Sequence, residues 1–128
     1  MCLDNIRRKW QPFGKRKFAY KVVMRDENNN LVTNIARMPV RVNTEVWQGA
    51  YQRVPEHVKL WTDYGETHRG KISVFLELGD AEQWAQVKDQ IWLVEINYDK
   101  LLVGEQHATG RNLQGALVDE FRLVKRIK

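Results

Sequence analysis

The sequence predicts an α+β fold: a single domain whose twisted, mainly antiparallel sheet of about five to seven strands carries one clear helix over residues 81–88. Three observations lead there. Residues 70–97 read as strand, tight turn, short helix and strand. Residues 18–33 read as a hairpin. The chain has 128 residues with 43% hydrophobic content, enough to bury one core without disulfides or a metal.

In chain order, residues 1–17 are a basic, turn-rich lead-in to a domain spanning 18–128. Arg7-Arg8-Lys9 and Lys15-Arg16-Lys17 flank Trp10 and Phe13, an interleaving of cations and aromatics that suits phosphate contact with base stacking. A solvated arm with its aromatics tucked on the domain edge has the same composition. Phe18 to Arg25 is rich in β-formers. The turn Asp26-Glu27-Asn28-Asn29-Asn30 then supplies residues that tolerate positive φ, returning the chain through Leu31-Val32-Thr33. Pro39 has no N–H for a ladder and implies an edge or an irregular path between Ile35 to Met38 and Val40 to Val42.

Residues 43–70 carry the weakest pattern. Thr44 to Gln48 fits a helical turn or a short strand, and Val58 to Trp61 alternates loosely. Thr62 to Gly70 is a polar, glycine-bounded loop, and His68 and Arg69, with Lys71, give it a positive tip. Lys71 to Leu78 then alternates Ile72, Val74, Leu76 and Leu78 with mostly polar neighbours, the pattern of a strand with one buried face. Gly79 ends it. Asp80 is set to cap a helix with Gln83 at its third position, and Ala81, Trp84 and Ala85 share a face. Ile91 to Asn97 is the next strand, followed by a turn at Tyr98-Asp99-Lys100 and an extended Leu101 to Val103. Glu105 to Asn112 reads as a polar loop and Phe121 to Ile127 as a closing strand, although Leu113, Leu117, Glu120, Phe121 and Val124 also fit a helical stripe.

The formal charge of +5 and pI near 9.5 favour an anionic partner, a nucleic acid or an acidic host-protein surface, and decide nothing about fold. With one cysteine, Cys2, neither an intramolecular disulfide nor a Cys-x-x-Cys pair can form, and a reducing compartment, the cytoplasm, is expected. No apolar run reaches membrane-span length, so no membrane partner is expected. His57, His68 and His107 lack ligand-spaced partners, glycine-rich phosphate cradles are absent, and neither a metal, a cofactor nor a catalytic set is expected. Glu77 and Glu95 lie on the two central strands, facing each other or solvated separately. Of the five tryptophans, Trp84 and Trp92 suit the core, whereas Trp47 and Trp61 stand among arginines and lysines as candidates for stacking.

The surface expected to meet the anionic partner therefore comprises Arg7, Arg8, Lys9, Trp10, Lys15, Arg16, Lys17, Trp61, His68 and Arg69. A nucleotide-like small molecule, held or turned over, would instead occupy a pocket between the central strands and the 105–111 loop, with Lys21, Glu95, Glu105, His107 and Arg111.

Two resemblances extend this. The opening Met1-Cys2-Leu3, the basic stretch, Tyr20-Lys21-Val22-Val23 and a glycine-led strand with an Asp-Ala step into a helix resemble small uncharacterised proteins of bacteriophages and prophages. That implies an accessory role in a bacterial host, such as interference with an enzyme or a defence system. Gly70, the strand to Leu78, Ala81-Glu82-Gln83-Trp84-Ala85 and Ile91 to Ile96 are similar in order to small ADP-ribosyltransferase-like domains, which implies a nucleotide-like ligand. In that family an early strand commonly presents Arg or His to the nucleotide. Here Tyr20-Lys21 stands there and a late Glu-x-Glu pair is lacking, which implies a pocket without transfer chemistry.

Overall fold

Among the described residues nine stretches pair edge to edge: β1 (Asn5–Lys9), β2 (Phe18–Arg25), β3 (Leu31–Thr33), β4 (Gln48–Gly49), β5 (Ile72–Phe75), β6 (Gln90–Asn97), β7 (Leu102–Ala108), β8 (Arg111–Val118) and β9 (Glu120–Arg126), with the helix α1 (Leu78–Trp84) between β5 and β6. The computed structural model describes residues 5–9, 16–33, 39–49, 72–98, 101–108 and 111–128. Among them the sheet runs β1-β7-β8-β5-β2-β6-β9-β4, with β3 paired to β2, and every ladder is antiparallel. The protein is thus α+β, one domain built on a mostly antiparallel sheet with one helix.

Alternation along β2 sends Tyr20 and Val22 to one face and Ala19, Lys21 and Val23 to the other. Both faces are covered. On the first, Val22, Phe75, Ile91, Leu113 and Leu117 pack beneath Ala81 of α1, and the Trp84 ring lies 6.3 Å from that of Phe75 at a 44° tilt. On the second, Ala19, Val23, Val74, Val94, Ala116 and Leu123 join one larger cluster, against which Trp92 packs while its indole Nε1–H donates to Gln90 Oε1 at 3.0 Å. Trp84 and Trp92 are partly buried and pack against the two core clusters.

The hairpin forms as the Asn run predicts. Val23, Met24 and Arg25 pair with Thr33, Val32 and Leu31. Asn29 adopts φ 63°, and Asp26 Oδ1 accepts from the N–H groups of Asn28 and Asn30. Pro39 makes a single bridge to Val32, an edge position. The closing segment is strand, with β9 in register against β6.

Four expectations are corrected. The central strand is shorter, Ile72–Phe75, and buried on both faces because it lies between β8 and β2 with α1 above. The helix occupies Leu78–Trp84 rather than 81–88. Glu77 is its N-cap residue but makes no side-chain capping bond, while Asp80 sits in the first turn and accepts from the Gln114 N–H at 3.2 Å, tying helix to sheet instead of capping. Glu77 accordingly precedes the helix, and it does not face Glu95 across two strands. Finally, the presumed loop at 105–112 is a hairpin of long strands, β7 and β8, which pair from Leu102↔Leu117 to Ala108↔Arg111. Its polar residues sit on a ladder, and this raises the strand number above five to seven.

The lead-in also contributes a strand. β1 pairs with β7 through Asn5↔Glu105 and Lys9↔Leu102, which puts Arg7, Arg8 and Lys9 at one end of the sheet.

Candidate binding groove

At the opposite side of the sheet, where β2 begins and β6 ends, Arg16, Lys17, Trp47, Glu95, Asn97, Tyr98 and Glu120 line an open groove of about 440 Å³. Backbone pairing builds it. The Ile96 N–H donates to Lys17 O at 2.9 Å, extending the β2–β6 ladder so that Lys17 enters the groove beside β6. The Arg16 N–H donates to the Tyr98 hydroxyl at 2.9 Å, and its Nη2 donates to Leu76 O at 2.7 Å and lies 3.6 Å from Glu77 Oε1. Arg16 is therefore a brace between the segment leading into β2 and the turn before α1. Its Nε is buried with no hydrogen-bond partner.

Trp47 is held by its neighbour. Gln48 is 2% exposed, and its amide accepts from Arg41 N at 2.7 Å and donates to Arg41 O at 2.8 Å. With Asn43 Oδ1 accepting from Glu45 N, these bonds fix the turn before β4. The pairing Gln48↔Phe121 then brings the indole over Arg122, whose guanidinium carbon is 4.9 Å from the ring centre. Arg122 Nη2 also donates to Glu95 Oε2 at 2.5 Å, with the Glu95 side chain 18% and the Arg122 side chain 34% exposed.

These residues form a row. Phe18 is opposite Glu95, and Glu95 opposite Arg122, all on the face that α1 covers elsewhere. Phe18 is 45% exposed with the Lys17 ammonium 5.9 Å from its ring centre. A cation lies against an aromatic ring at each end, and an ion pair occupies the middle. Asn97 Nδ2 donates to Glu120 Oε1 at 2.8 Å, closing the rim.

Of the residues expected to meet an anionic partner, the structure brings Arg16 and Lys17 into this groove, while Arg7, Arg8 and Lys9 belong to β1. Trp10, Lys15, Trp61, His68 and Arg69 lie outside the described residues. The second expected pocket does not form around a loop: Glu105, His107 and Arg111 belong to the β7–β8 hairpin. Lys21 and Glu105 are each 4% exposed, and the Lys21 ammonium donates to Ser73 O at 2.6 Å. Only Glu95 of that set lines the groove. Composition points to Trp47 for stacking and not to Phe18, Tyr98 or Arg122, because their meeting depends on strand register.

β5, α1 and β6 follow the order of strand, helix and strand, yet β5 and β6 flank β2 rather than each other. Among the described residues no group of three or more His, Cys, Asp or Glu side chains is placed to hold a metal ion, and no helix is long and apolar enough to cross a membrane. Comparison with protein-family models, with curated proteins and with solved structures finds no match to this chain.

Proposed function

We propose that this protein is a non-catalytic binding protein for single-stranded nucleic acid, engaged through a basic and aromatic surface that includes the groove. One observation carries the reading. Residues 1–17 hold Arg7, Arg8, Lys9, Lys15, Arg16 and Lys17 against Asp4, six positive charges minus one, which equals the +5 of the whole chain. Residues 18–128 are neutral, with 15 basic and 15 acidic side chains (21 − 6 and 16 − 1). The attraction for a polyanion therefore resides in this segment, which places Lys17 beside Phe18, Trp47 and Tyr98 and Arg7, Arg8 and Lys9 on β1 at the other edge of the sheet. Positive charge next to aromatic rings is the combination by which proteins hold single strands with little sequence preference.

Phosphate contacts supply affinity that falls steeply with salt, and rings supply stacking that does not. Arg16 is committed to Leu76 and Glu77, so at the groove Lys17 is the group on the phosphates, while Arg7, Arg8 and Lys9 on β1 attract the strand from the other edge of the sheet. The resemblance to small phage and prophage proteins supports an accessory role in the cytoplasm of a bacterial host, directed at a host process that handles nucleic acid.

Charge reversal tests this. Lys15→Glu with Lys17→Glu, leaving the bracing Arg16 intact, weakens binding to all oligonucleotides alike and flattens the salt dependence. Unchanged binding removes the segment from the account. Oligonucleotides that do not bind at all, with capture of an acidic protein instead, would assign the same charges to a protein partner.

A further inference from the structure

We propose that Glu95 is the base-reading group of the groove and that it selects guanine over thymine or uracil, an inference that rests on the nucleic-acid reading above. Glu95 stands in the middle of the row, between Phe18 on β2 and Arg122 on β9. At the usual spacing between strands the outer two positions are about 10 Å apart, so a base stacked on the exposed Phe18 ring presents its edge toward the Glu95 position. Nothing else in that row accepts hydrogen bonds through its side chain.

The carboxylate is oriented. Arg122 binds its Oε2, and Arg122 is itself seated on Trp47. Among the described residues no group donates to Oε1, which leaves it for a ligand. An ionised carboxylate only accepts hydrogen bonds. Guanine offers two adjacent donors on its pairing edge, N1–H and the N2 amino group, which match Oε1 and the lone pair of Oε2 that Arg122 leaves. Thymine and uracil offer one N–H between two carbonyl oxygens, and those oxygens repel it. Cytosine and adenine offer one amino donor beside a ring-nitrogen acceptor and fall between. Lys17, above the Phe18 ring, is within reach of the phosphate of the same nucleotide.

A structural ion pair that merely holds Arg122 would show no such preference. The test uses the full chain, a short labelled thymidine oligomer, and the same oligomer with one central guanosine, read by fluorescence anisotropy. The guanosine oligomer binds about ten-fold tighter, and Glu95→Gln, checked for folding by circular dichroism, binds the two alike. Should that variant unfold, an oligomer with one central adenosine decides: tightening by adenosine equal to that by guanosine assigns the preference to stacking and overturns the role of Glu95. Equal affinity of the wild type for both oligomers overturns the role of Glu95 while leaving nucleic-acid binding in place, as does a preference that survives Glu95→Gln. Binding of neither oligomer overturns both.

Discussion

Arg122 sits over Trp47 with its guanidinium carbon 4.9 Å from the ring centre, while its Nη2 holds Glu95. One side chain thus links the turn before β4 to β6. Replacing it by Ala removes a cation–π contact and a partly exposed ion pair, worth about 1–2 kcal/mol together. Urea denaturation should show that loss. Arg122→Lys recovers less than half of it, because an ammonium cannot stack and pair at once as the planar guanidinium does. Full recovery by lysine would mean that charge alone matters there.

Gln48 carries the turn that presents Trp47. Its two bonds to the Arg41 backbone are made by a side chain only 2% exposed, so Gln48→Leu leaves an N–H and a carbonyl to find water. The expected cost is about 1–3 kcal/mol. Acrylamide quenching of tryptophan fluorescence should rise at the same time, since the indole loses its anchor. Stability lost without any change in quenching would separate the clamp from the groove.

Lys21 is buried in the middle of β2, with its ammonium on Ser73 O. Lys21→Met keeps the stem and removes the donor, and thermal denaturation should report a loss of about 1–3 kcal/mol. Lys21→Glu leaves the Ser73 carbonyl facing a buried carboxylate and should abolish folding. A fully stable Lys21→Met protein would show that the ammonium is not needed for the fold.

At the tip of the first hairpin, Asn29 has φ 63°, where side chains branched at Cβ are strained. Asn29→Gly should be neutral within a few tenths of a kcal/mol, and Asn29→Val should cost about 1–2 kcal/mol. Chemical denaturation of the two variants checks the sign of each. Equal stability would contradict the left-handed turn.

The α+β class, the β2–β3 hairpin, the strand at Ile91 and the closing strand were legible because period-2 apolar patterns and turn residues act locally. The helix was misplaced by three residues at its start because Asp80 resembles a cap while bonding to Gln114 across the sheet, a contact no local pattern reports. The β7–β8 hairpin was missed because Glu105, Gln106, His107 and Asn112 lack apolar alternation. Their ladder is written in register, and Glu105 is buried despite its charge. The groove was legible in its charges, Arg16 and Lys17, and partly in Trp47. Glu95, Arg122 and Phe18 come from different strands and meet through pairings that span many residues, so their row is visible only once the sheet is ordered.

The central claim is that single-stranded nucleic acid binds through the charge of residues 1–17 and the aromatic groove. Anisotropy of a labelled single-stranded oligonucleotide, titrated with the full chain over a range of salt concentrations, tests it most directly. The account predicts binding at low salt with a slope of log affinity against log salt of about −1.4 to −3.5, as expected for roughly two to five phosphate contacts. No rise in anisotropy at low salt would contradict it.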